Sequence, residues 1–135
     1  MRPRPVVRLA AVSLPLFGCA EVSAPTLSGI EQDIFVPRCN TAGCHDVTGR
    51  AGRLDLTPGT AYAQLVDVSA QNVGAVEDGL VRVVPGRSEA SFLVQKLEDH
   101  LPVAYGVRMP VGAGPLTASE VSRVRAWVDA GARDD

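Results

Sequence analysis

Large apolar side chains are scarce in this chain. Of its 135 residues only three are Phe, two Tyr and one Trp. No run of 18 or more apolar residues occurs, so no transmembrane helix is expected. Charge of neither sign dominates: 13 Lys and Arg stand against 15 Asp and Glu, a formal −2. That balance lacks the basic excess of a nucleic-acid binder. No Ser/His/Asp set and no paired carboxylates suggest a hydrolase. Turn formers are plentiful instead, with 13 Gly and 10 Pro. The length allows one domain with a single modest core, and this composition packs weakly by itself.

The informative stretch is Arg38-Cys39-Asn40-Thr41-Ala42-Gly43-Cys44-His45-Asp46. A cysteine followed directly by histidine is how covalent haem attachment ends, because a thiol fixed to the porphyrin edge brings the next side chain under the ring. The usual form is Cys-x-x-Cys-His, and here two further residues separate the thiols, so residues 40–43 must loop out. A porphyrin would also supply the apolar bulk that the composition lacks.

The first residues read as a targeting segment. Arg2, Arg4 and Arg8 form a basic head, and Leu9 to Phe17 form a short apolar run. The run closes in Leu16-Phe17-Gly18-Cys19, which is similar to a bacterial lipobox and implies a signal peptide over 1–18 with Cys19 as the lipidated residue. Secretory cleavage after Ala20 is the alternative, and both readings export the chain. Ala20, in place of an aspartate, suits passage to an outer membrane. Removing Arg2, Arg4 and Arg8 lowers the basic residues from 13 to 10 against 15 acidic, so the mature chain carries −5.

Residues 19–27 read as lipidated cysteine and tether, and 28–135 as the folded domain. Ser28 to Glu31 has the form of a capping box, with Leu27, Ile30 and Ile34 on one helical face, Phe35 beside them, and Pro37 ending or kinking the helix. Leu54 and Leu56 alternate with polar residues as in a short extended segment. A short helix is expected over 60–66, an exposed loop over 69–79, and a brief apolar run over 80–84. Ala90, Leu93, Val94, Leu97 and Leu101 predict a helix over 88–98. Thr117-Ala118-Ser119-Glu120 repeats the capping box before Val121, Val124, Trp127 and Val128, and Gly131 is the stop.

In this order the parts resemble a class I cytochrome c, in particular the planctomycete-type cytochrome c-like modules of exported lipoproteins. The resemblance runs through Ile34-Phe35-Val36-Pro37-Arg38-Cys39, Gly43-Cys44-His45, Gly52-Arg53-Leu54-Asp55-Leu56, Val84-Pro85-Gly86-Arg87-Ser88, Ser91-Phe92-Leu93, Arg108-Met109-Pro110 and Val124 to Ala132. It implies an all-α fold of three main helices joined by Gly/Pro-rich loops. It further implies one haem c bound through Cys39 and Cys44, with His45 as proximal and Met109 as distal ligand. Arg108 is then placed to meet a haem propionate, and His100 is the competing distal ligand. The implied role is one-electron transfer and not catalysis, with a redox protein as partner, no nucleic acid, a lipid anchor in the membrane and a periplasmic location, on an outer-membrane lipoprotein.

Two other readings of the same residues stand beside this one. Outside the cytosol Cys39 and Cys44 could bond to each other, giving a haem-free, disulfide-stapled surface or scaffold module. Cys39, Cys44, His45 and His100 could alternatively hold zinc or copper, provided the thiols stay reduced.

Overall fold

Thr26, not Ser28, caps the first helix. Its side-chain oxygen accepts the Gly29 N–H at 3.2 Å, and Leu27 is already buried inside the helix. The computed structural model describes residues 24–135; the proposed signal peptide and Cys19 lie outside the described residues. Leu27–Ile30 is α-helical, Glu31–Phe35 π-helical and Val36–Arg38 α-helical, making one continuous helix, α1. Glu31 does not reach back to a cap. Its carboxylate accepts the Gly59 N–H at 3.0 Å, a tertiary contact that outcompetes the local one. Pro37 has no N–H to continue the ladder, and α1 ends one residue later.

Four further α-helices follow: α2 (Ala61–Leu65), α3 (Val73–Glu77), α4 (Phe92–Leu97) and α5 (Ala118–Asp129). Among the described residues there is no strand, only isolated bridges pairing Val66 with Val83, Ser69 with Val81 and Val81 with Ser91. The fold is all-α, and no helix among the described residues is long and apolar enough to cross a membrane.

α5 forms as its sequence dictates. The Glu120 N–H donates to Thr117 Oγ1 at 3.2 Å and the Thr117 N–H donates to Glu120 Oε2 at 2.7 Å, a complete capping box. Such a cap contributes about 1 kcal/mol. Val124, Trp127 and Val128 face Ile30, Ile34 and Phe35 of α1 and Val94 and Leu97 of α4 in one core. Trp127 satisfies its indole N–H on the Arg133 carbonyl at 2.9 Å. The polar side of α5 is not simply solvated: Arg123 reaches Asp33 at 2.8 Å, Arg125 reaches Glu98 at 2.7 Å, and Asp129 accepts the Ser88 N–H at 2.9 Å.

Two further expectations are corrected. The helix expected over 88–98 is split: Ser88–Ala90 is a 3-10 turn, Ser91 is extended, and only Phe92–Leu97 is α-helical. Ser91, fully buried, breaks it because its hydroxyl accepts the Val84 N–H at 2.9 Å and donates to the Arg87 carbonyl at 2.9 Å. The segment expected as exposed loop over 69–79 holds α3, capped by Asn72, whose side chain accepts the Ala75 N–H at 3.1 Å. Ala70 and Ala75 are buried there against Phe92.

Candidate functional site

The Cys39–His45 segment leaves the end of α1 as a closed loop. The Cys39 and Asn40 N–H groups both donate to the Phe35 carbonyl, at 2.8 and 2.7 Å, so Cys39 is still attached to the last helical turn. The extra residues form a tight turn, with the Cys44 N–H on the Thr41 carbonyl at 2.9 Å. Gly43 at its third position has φ +81°, which the corresponding position of a type II turn requires. The His45 N–H then returns to the Cys39 carbonyl at 3.2 Å. The far side is tied by Ala51 and Leu56, whose N–H groups donate to the carbonyls of Cys44 and His45, both at 2.8 Å.

This loop forms one wall of a cavity of about 420 Å³, within the roughly 300–1,000 Å³ typical of cofactor sites. Cys39, Cys44 and His45 line it from the loop, Leu54, Leu56 and Leu65 from the middle of the chain, and Phe92, Leu93 and Leu97 from α4. Met109 lines it from the late loop, partly buried against the main core, with its N–H on the Lys96 carbonyl at 2.7 Å. The Met109–Pro110 peptide is cis. Residues seventy positions apart in sequence thus share one apolar chamber.

The remaining sequence-derived candidates lie elsewhere. His100 is exposed, at φ +69°, beside Glu89, Glu98 and Asp99 in a separate polar depression. Among the described residues no group of three or more His, Cys, Asp or Glu side chains gathers as a metal site, so the set of Cys39, Cys44, His45 and His100 does not assemble. Arg108 does not line the cavity. It pairs with Asp99 and donates from Nε to the Leu97 carbonyl at 3.0 Å, which directs it to the end of α4. The cations that do line the cavity are Arg38, Arg82 and Lys96. Sequence reasoning missed Arg82 and Lys96: the first sits within an apolar run and the second on a helix read for its apolar stripe.

Burial sets the protonation of the sulfur and nitrogen groups. Cys39 and Cys44 are free thiols, the first buried and the second exposed. Burial pushes the Cys39 thiol up to about 11, with the Arg38 guanidinium pulling in the opposite direction, so Cys39 is protonated at neutral pH. His45 is lowered from its ordinary value, first by burial, with the carbonyls of Leu54 and Ala51 resisting the shift. Its imidazole is neutral at pH 7, the form that ligates metals. Nδ1 of that ring is buried and makes no hydrogen bond of good geometry. No protein-family model, curated protein or solved structure matches this chain.

Proposed function

We propose that the chain is an exported one-electron carrier of class I cytochrome c-like fold, holding one covalent haem c. What carries the proposal is a single juxtaposition: Cys39, Cys44, His45 and Met109 line the same cavity, although Met109 belongs to a separate, late loop. The residues fit the group. Two thiols stand beside a neutral imidazole, a thioether arrives from another segment, and the walls between them are leucine and phenylalanine. Cys39 and Cys44 would hold the porphyrin through sulfur, and His45 and Met109 would ligate its iron. When bound, haem supplies a reversible one-electron couple whose potential follows its axial ligands and burial.

The chain's own residues then have defined tasks. The Thr41–Cys44 turn takes up the two additional residues, so the thiols and His45 share one wall. Leu54, Leu56, Leu65, Leu93 and Leu97 keep water from that wall. With both His45 and Met109 holding the iron, no position on it would be left open to a substrate, which suits a carrier better than an enzyme. The Arg-rich, apolar leader and Cys19 support export and lipid anchoring on the periplasmic side of a membrane, where a redox protein would be the partner.

The reading is tested by expressing the full chain in cells that possess a haem-attachment system. The expected result is a Soret band and a haem-stained protein that keeps its stain after boiling in detergent. A colourless protein whose Cys39 and Cys44 are joined to each other would replace it with the disulfide-stapled module.

A further inference from the structure

The cavity is charged in one sign only. Arg38, Arg82 and Lys96 line it and no carboxylate does, in a chain whose 15 acidic residues outnumber its 13 basic ones. Arg38 already has its counter-charge: Nη1 lies 3.6 Å from Glu120, and Nη2 donates to the Gly114 and Pro115 carbonyls at 3.2 and 3.1 Å. The other two cations differ.

Arg82 is 7% exposed. Nη1 donates to the Gln64 carbonyl at 2.7 Å, and Nη2 to the carbonyls of Gly52 and Arg53 at 2.9 and 3.1 Å. Among the described residues no carboxylate stands within ion-pairing distance of it. Lys96, the chain's only lysine, donates to the carbonyls of Tyr105, at 3.0 Å, and Val107, and it too has no carboxylate in ion-pairing distance among the described residues. Carbonyl dipoles orient a cation without cancelling its charge, and a charge as buried as that of Arg82 is unfavourable with no opposite charge nearby until one arrives, while Lys96 is only half-buried. The two positions belong to one wall. The Leu93 N–H donates to the Arg82 carbonyl at 2.8 Å, and Lys96 lies one helical turn beyond Leu93.

We infer that Arg82 and Lys96 form a carboxylate seat, so the cavity selects a flat apolar ligand bearing free carboxylates at one edge. This rests on the haem reading and names the residues that would meet the acid groups of the tetrapyrrole, a task Arg108 cannot share while it is turned to Asp99. Arg82 is the fixed member, clamped by three carbonyls from two segments, and Lys96 is the adjustable one.

The test uses the mature chain purified without haem, titrated with protoporphyrin IX and, separately, with its dimethyl ester, following porphyrin fluorescence. Charge-assisted hydrogen bonds to a buried guanidinium predict a preference of about tenfold or more for the free acid. Raised salt should weaken the acid and leave the ester unchanged. Arg82→Gln should erase most of the preference, Lys96→Gln part of it, and Arg87→Gln, on the exposed surface, none. Equal affinity of the unmodified chain for acid and ester overturns the carboxylate seat while leaving the haem reading intact. Binding of neither porphyrin overturns the seat, and the haem reading is then decided separately by the haem-stained full chain. The unmodified comparison is decisive even if Arg82→Gln fails to fold, because Arg82 also ties residues 52, 53 and 64 together.

Discussion

The backbone N–H of His45 donates to the carbonyl of Cys39 at 3.2 Å, across the five residues between them. This bond brings the chain back to its starting point despite the longer spacing between the cysteines. Residues 40–44 leave and return, and the imidazole ends on the same cavity wall as the first thiol. The loop is therefore a closed unit whose shape depends on its neighbours.

Gly49 is the tightest of those neighbours. A Cβ there would lie 2.4 Å from the Gly43 carbonyl carbon and 2.7 Å from the Cys44 oxygen. Backbone atoms cannot move aside cheaply, so Gly49→Ala should cost about 1–3 kcal/mol and lower the yield of haem attachment. Urea denaturation reads the first effect and haem-to-protein ratio the second. A variant with unchanged midpoint and full haem content would show that the loop is not held this closely.

Met109 and His100 separate the two candidates for the distal ligand. Met109 lines the cavity, whereas His100 is exposed in another depression. Met109→Ala should abolish the weak far-red sulfur-to-iron band of the oxidised protein and lower its potential. His100→Ala should leave both unchanged. The reverse pattern would make the iron bis-histidine ligated.

How legible this was from the chain depends on what each segment uses as its signal. α5 announces itself, since Thr117 and Glu120 sit three apart before an apolar stripe, and Glu120 keeps Oε2 for the cap while Oε1 faces Arg38. The same pattern misleads at Ser28 and Glu31, because Gly59 offers Glu31 a tertiary donor and Thr26 serves as the cap. α3 turns Gly74 and Ala75 inward, and residues that small leave no apolar periodicity to read. Ser91 divides an uninterrupted helical pattern through side-chain bonds to residues four and seven positions earlier. At the site, Cys39, Cys44, His45 and Met109 were visible as residue types. Arg82 was not, because its meaning lies in three carbonyls that only the fold brings to it.

Arg38 links the cysteine loop to the cavity's far rim. Its guanidinium reaches the Gly114 and Pro115 carbonyls and Glu120, while Ala113 lines the cavity. Arg38→Ala should cost about 1 kcal/mol and raise amide exchange in residues 111–116. Arg38→Lys should restore little, because one ammonium cannot reproduce the planar fork. Wild-type exchange in that loop would contradict the link.

The acid limb of stability is set by three carboxylates held below their ordinary range. Asp46 is lowered first by the Thr48 hydroxyl, with the Gly49 N–H adding to it. Asp55 is lowered first by Thr57, and Glu120 first by the Thr117 N–H. A depressed folded-state pKa means that the unfolded chain binds the proton first. Their contribution is thus complete above the ordinary carboxylate pKa of about 4 and is lost as pH falls below it. Urea midpoints should ease downward below about pH 6.5, where the unfolded chain protonates His45 before the folded one does, and drop more steeply below about pH 4, and Asp55→Asn should flatten that steeper drop. Stability that rises on acidification would contradict the assignment.

The most direct test of the central claim is the intact mass of the mature protein, taken after reduction and treatment with a thiol-alkylating reagent. The account predicts the chain plus one haem, with neither Cys39 nor Cys44 alkylated. A mass without haem, carrying alkyl groups on both Cys39 and Cys44, would contradict it.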